Sequence, residues 1–222
     1  MQEPKHHRHD FMIERIAFFS DAVFAIAITL MIIEIHPPLI EKGDTEAIAW
    51  HKFQEKLPEF LGLLVSFMLI GGTWLRHHTL FKYADKYDRR FILLNLVLLF
   101  TIILFPFSTS FLFNSIFHGA VTRLQIYFYL GVPFLSTLVL YIMYRDVHNN
   151  HIGRIADNGF KVSLFSHKAM ILSFALTILW IIFVPLKNHY WGYFLLYIGP
   201  AMIMNYRRKL KKNAKPQVAA AD

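Results

Sequence analysis

Long apolar blocks alternate with short polar runs along this chain. Each block holds about 18 to 23 mostly apolar residues, the length an α-helix needs to cross a hydrocarbon core. A soluble helical protein would instead carry narrow apolar stripes on otherwise polar helices. The pattern predicts six spans, at about 13–35, 57–80, 91–113, 124–144, 168–186 and 189–206. It divides the chain into a polar N-terminal segment (1–12), a six-span body (13–206) and a basic tail (207–222). The fold class is therefore an all-α membrane protein. The first apolar run follows a polar start and lacks a small-residue cleavage site, so it reads as a retained helix. Prolines 106, 133 and 200 fall within or near spans, which membrane helices tolerate when neighbours satisfy the freed carbonyls. Between the first two spans, "AIAWHKF" (47–53) reads as a short interfacial helix.

Composition agrees with the pattern. The chain is 55% hydrophobic and 17% charged, below the roughly 25% charge of soluble domains. Without cysteine, disulfides and thiolate chemistry are excluded. The net charge of +8 is chiefly a topology signal. Eighteen of the 23 lysines and arginines lie in the N-terminal segment with Arg15, the 76–90 and 145–168 connections and the tail. That bias places both termini on the cytoplasmic side. These basic residues flank span ends and lack interleaved aromatics in a soluble module, so no nucleic-acid partner is expected. The lipid bilayer is the implied partner.

The first span, "RIAFFSDAVFAIAITLMIIEI", carries Arg15, Ser20 and Asp21 near its start. A charge at the centre of a membrane helix costs about 2.5–3.5 kcal/mol, and less near its ends. Asp21 lies more than a turn inside the apolar run and needs donors. Trp74, Arg76, His77 and His78 at the end of span two, and Asn95 early in span three, stand at similar depth. At about 100° per residue, Ile26, Leu30 and Ile33 share one face. Thr29 sits roughly 60° from Ile26, and Ser20 and Asp21 point roughly 120–140° away. One side of the helix is thus apolar with a single hydroxyl, and the other is suited to docking on spans two and three. Glu34, roughly 80° from the Ile26 line, stands near the outer end.

Other candidates carry less. "HHRH" (6–9) reads as a polar terminus and "HNNH" (148–151) as a loop. His77 and His78 are adjacent and face different directions, which argues against shared ligation of a metal or haem. Gly62, Ser66, Gly71 and Gly72 supply small residues suited to close helix packing. A membrane enzyme would need a convergent acid, base or metal set, for which Asp21, His77 and Arg15 are the candidates. The chain is read as a non-enzyme, with no fixed metal and no cofactor.

The spacing of Arg15, Phe19, Ser20 and Asp21, followed by "AVFAIAITLM", resembles the transmembrane protein 175 family, the endolysosomal potassium channels and their bacterial relatives. "SFMLIGGTWLRHH" in span two and "NLVLLFTIILFPFST" in span three are similar to that family too. The motif occurs once here, as in single-repeat bacterial members. The resemblance implies a homotetramer in the cell membrane, with the first helix of each subunit lining a central pore. It implies passive conduction of monovalent cations with a preference for potassium, and no "TVGYG" filter, a sequence this chain lacks. It maps the apolar constriction to Ile26, with further layers at Leu30 and Ile33, and the selectivity hydroxyl to Thr29. Potassium would be a transient occupant of the pore. It maps the structural motif to Arg15, Phe19, Ser20 and Asp21, held by Trp74 and by His77 or His78. The competing reading is a proton-coupled transporter with Asp21 as the titrating group.

Overall fold

In the computed structural model, residues 5–84, 88–117, 121–150 and 158–218 are described, and all regular structure among them is helical. The helices are α1 (Lys5–Ile33), α2 (Glu46–Glu55), α3 (Leu57–Phe81), α4 (Arg89–Phe117), α5 (Arg123–Asn150) and α6 (Asn158–Phe183). A 3-10 segment (Leu186–Tyr197) and α7 (Ile198–Val218) follow. Five segments among the described residues are long and apolar enough to cross a membrane: Glu14–Ile33, Glu46–Phe81, Arg89–Ile116, Arg123–Asn149 and Asn158–Phe183.

Two local expectations change. "HHRH" lies in the first turns of α1, because helix formation starts at Lys5, well before the apolar run. His148, Asn149 and Asn150 form the last turn of α5 and not a loop, and His151 lies outside the described residues. The expected interfacial helix is α2. Thr45 caps it by accepting from the Ile48 N–H at 3.4 Å. Lys56 then ends α2 and begins α3, so the short helix turns directly into the second span.

The sixth expected span, 189–206, is built from two helix types. Ser173 of α6 explains the junction. Its hydroxyl donates to the Leu195 carbonyl at 2.6 Å and accepts from the Gly199 N–H at 3.3 Å. Those two backbone groups are the pair that an uninterrupted α-helix would join. Pro200 next door has no N–H to give. Gly199 allows the close approach, since a Cβ there would stand 2.9 Å from Met170 Sδ and 3.2 Å from the Ala169 carbonyl. A 3-10 helix rises about 2.0 Å per residue, so the 12-residue segment covers about 24 Å. With the first turns of α7 added, the combined segment is long enough to pass a hydrocarbon core of about 30 Å.

Packing runs from neighbour to neighbour. α1 lies against α3 and α4, α4 against α5, α5 against α6, and α6 against the 3-10 segment and α7. Phe24, Ala27 and Met31 of α1 meet Ile70, Leu99 and Ile102 in one buried cluster. A second cluster gathers Leu80, Leu98, Leu140 and Tyr144 where α3 ends and α4 begins. Of the small residues in α3, Gly62 is the one at a close approach, since an added Cβ would overlap the Phe113 ring. Gly71 has nothing within 4 Å, so its expected tight contact is not made inside the subunit.

Candidate functional site

The polar residues of α1 meet two different helices. Ser20 and Asp21 are consecutive and therefore point about 100° apart. Ser20 is fully buried and faces α4, where Asn95 Nδ2 donates to its Oγ at 2.9 Å. Asp21 is half-buried and faces α3, where Trp74 Nε1 donates to Oδ1 at 2.8 Å. α1 is thereby wedged between α3 and α4 by two side chains from a single turn.

Behind Ser20 the bonds form a directed chain. His77 Nε2 donates to Asn95 Oδ1 at 2.8 Å in the tautomer that suits the Asn95 amide, whose Nδ2 faces Ser20. The Ser20 hydroxyl in turn donates to the Ile16 carbonyl at 2.8 Å. Asn95 and His77 are each 1% exposed, so water cannot replace either partner. Bonds aligned donor to acceptor in a low dielectric polarise one another. His77 also packs between the rings of Phe24 at 5.4 Å and Phe81 at 4.8 Å. His78 is exposed and packs over Trp74 at 5.7 Å between centroids. Of the two adjacent histidines, His77 is the one in the anchor.

The opposite face of α1 is bare in the subunit. Ile26 is 57% exposed, Leu30 43% and Ile33 68%. Ala22, Ala25 and Thr29 share that exposed side, and Arg15 and Phe19 stand exposed nearer its start. The Thr29 hydroxyl donates to the Ile26 carbonyl at 2.9 Å. Its single proton is thus used within the helix, and what it offers outward is oxygen lone pairs, the chemistry of a cation ligand. The sequence-derived residues therefore separate into a buried anchor (Ser20, Asp21, Trp74, His77) and an exposed set (Arg15, Phe19, Ile26, Thr29, Leu30, Ile33).

Sequence reasoning missed a second polar cluster deeper in the bundle. Ser66 Oγ lies 3.1 Å from Tyr129 OH and 2.8 Å from Thr109 Oγ1, tying α3, α4 and α5 together. Its one visible signal was a serine among glycines in span two. Among the described residues no three His, Asp or Glu side chains converge on a metal position.

Residues 15–106, which hold α1 from Arg15 onward, α2, α3 and the first part of α4, match the family described as endosomal/lysosomal potassium channel TMEM175. A protein of Streptomyces collinus named a potassium channel is 40% identical over 98 residues, 44% of this chain and 46% of its own length. The endosomal/lysosomal proton channel TMEM175 of Danio rerio is 39% identical over 89 residues, 37% of this chain and 17% of its own length. The chain thus spans about half, or less, of these curated relatives. The crystal structure of a lysosomal potassium-selective channel TMEM175 homolog from Chamaesiphon minutus superposes with a TM-score of 0.68. It covers 89% of this chain and 97% of that one at 22% identity, which establishes a shared fold.

Proposed function

From a chain whose residues 15–106 belong to the TMEM175 family, we propose that the protein is a potassium-preferring cation channel that conducts passively. Four copies surround an axis, each contributing α1 to the lining. Ile26 forms the narrowest apolar ring, with Leu30 and Ile33 as further layers, and Thr29 supplies the hydroxyl ring that discriminates between ions. Ser20, Asp21, Trp74 and His77 hold α1 in place, and Arg15 and Phe19 complete the motif on its exposed side. The protein resides in the cell membrane with both termini cytoplasmic.

One observation carries the reading: α1 is bonded into its subunit on one side while Ile26, Leu30 and Ile33 stay uncovered on the other. A narrow ring of such side chains can gate by dewetting, and oxygen lone pairs beside it replace part of an entering ion's hydration. Widening the ring is the direct test. Ile26→Ala in reconstituted liposomes raises potassium flux over the parent protein. If flux is unchanged by Ile26→Ala and by Ile26→Asn, Ile26 does not line the path.

A second reading gives protons the leading part, favoured by the zebrafish relative's name as a proton channel. Asp21 would then titrate in proton-coupled transport. Potassium flux that stays saturable and slow, and that moves one proton for each ion, would select the carrier. Rapid flux without stoichiometric proton movement selects the pore.

A further inference from the structure

Where α1 ends and α3 begins, a cavity of about 230 Å³ opens between α1, α3 and α4. At roughly 30 Å³ per water, it has room for about seven waters, or for a ring with a short arm. Its charged groups are unbalanced. Glu34 and Glu59 supply two carboxylates against the one ammonium of Lys56, with His36 beside them. Glu59 is 8% exposed, and Lys56 Nζ lies 2.8 Å from its Oε1. A carboxylate can accept about four hydrogen bonds, so that lysine leaves acceptor capacity unused.

The rest of the lining selects the kind of cation. A small metal ion would need several converging ligands, and no three His, Asp or Glu among the described residues converge. One wall is apolar, built from Met31, Leu63, Pro106 and Phe113. An inorganic ion gains nothing from such a wall, whereas the body of an organic cation does. Thr109 and Ser110 also line the cavity, with the Thr109 hydroxyl already donating to Ser66 Oγ at 2.8 Å. We propose that this cavity is a binding site for a small organic ammonium ion, its charge on Glu34 and Glu59 and its apolar body against Leu63 and Phe113. The site is separate from the exposed face of α1. That helix reaches the cavity through Met31 and Glu34, while Leu30 and Ile33 point elsewhere. The inference does not depend on conduction, and its test reads binding alone.

The probe is phenethylammonium, titrated calorimetrically into the detergent-purified full chain at pH 8, where imidazoles are ordinarily uncharged. Its neutral counterpart, 2-phenylethanol, is the control. Saturable binding of the amine is expected, with much weaker binding of the alcohol. Glu34→Gln, an exposed position that leaves the fold intact, weakens binding about tenfold, the scale of one lost charge-assisted contact. Ser110→Phe fills the cavity and removes binding, while Ile26→Ala leaves the affinity unchanged. The proposal falls if the amine shows no saturable binding or if the alcohol binds equally well. It also falls if Glu34→Gln leaves the affinity unaltered, or if Ile26→Ala is the variant that loses binding.

Discussion

The Ser20–Asn95 bond is the part of the α1 anchor whose energetics follow most directly from geometry. Ser20→Ala removes the acceptor from Asn95 Nδ2, a donor on a residue 1% exposed that no water can reach. Leaving a buried donor unpaired costs about 1–3 kcal/mol. Polar contacts inside membrane bundles fall near the low end of that range, at about 0.6–2 kcal/mol, because the unfolded helices also find partners in the bilayer. Asn95→Leu should cost more, since it also strips the acceptor from His77 Nε2. The double variant carries the test. Once Asn95 is gone, Ser20 has no interhelical bond left to lose, so removing it adds little. The two single costs should exceed the double cost by about 0.5–1.5 kcal/mol, within the range for directly bonded pairs. Reversible unfolding in mixed lipid–detergent micelles, followed by circular dichroism across a denaturing-detergent titration, gives all four free energies. If the single effects add to within about 0.3 kcal/mol, the chain from His77 to Ile16 is not acting as a coupled unit, and the Ser20–Asn95 bond does not help to hold α1.

Three further outcomes follow from particular positions. Gly62→Ala should destabilise the bundle by about 1–3 kcal/mol in the same unfolding assay, because the new methyl overlaps a Phe113 ring that Tyr129 holds edge-on at 5.5 Å. Gly71→Ala, with open space around it, should show no such loss. In the α1–α2 connection, the Asp44 carboxyl is held below its ordinary value of 3.8, first by the Lys52 ammonium at 2.6 Å and then by the Glu41 N–H. A depressed carboxyl contributes stability above its unfolded value and loses it as pH falls through the folded one. Hydrogen-exchange protection in residues 37–56, taken relative to the intrinsic rate at each pH, should therefore fall below about pH 4, and Asp44→Asn should be less protected at neutral pH with that dependence flattened. Thr29→Ala should lower the preference for potassium over sodium, and unaltered bi-ionic reversal potentials would remove Thr29 from the selective ring.

The legible parts of this molecule share a cause. Five of the apolar blocks correspond to helices that could each cross a bilayer, because span length is set by bilayer thickness and little else. The two sides of α1 were legible too, because a helix converts residue spacing directly into angle. The sixth segment was not. Its change of helix type depends on Ser173 arriving from α6 between Leu195 and Gly199, a contact that no local pattern announces. Adjacent His77 and His78 look alike in sequence, and only the positions of α4 and Phe24 decide which one is buried. Gly71 and Gly62 are likewise equivalent as letters. They differ because one faces Phe113 and the other faces open space.

The uncovered side of α1 is compatible by exposure alone with lipid or with a shared axis, so exposure cannot be the whole case for a pore. Side-chain size in the middle turns of α1 favours the shared axis. Ser20, Phe24, Ala27 and Met31 form the buried stripe, and the direction opposite it runs through Phe18, Ala22, Thr29 and Ile33, with Ala25 and Ile26 to either side. A face built for acyl chains gains from bulky side chains, as on α4, where Leu96, Phe100, Ile103 and Phe107 are exposed. Between Phe18 and Ile33, the middle turns of α1 present Ala22, Ala25 and Thr29, which give lipid little to hold but let helix backbones approach closely. Ile26 and Leu30 stand at the edge of that small-residue strip, where copies of the helix packed around an axis would bring them together. The same contrast bears on the anchor. In the proposed arrangement a lining helix needs fixed bonds to its own subunit on the side away from the axis. Ser20 and Asp21, one to two turns before Ile26, supply them to two different helices at once.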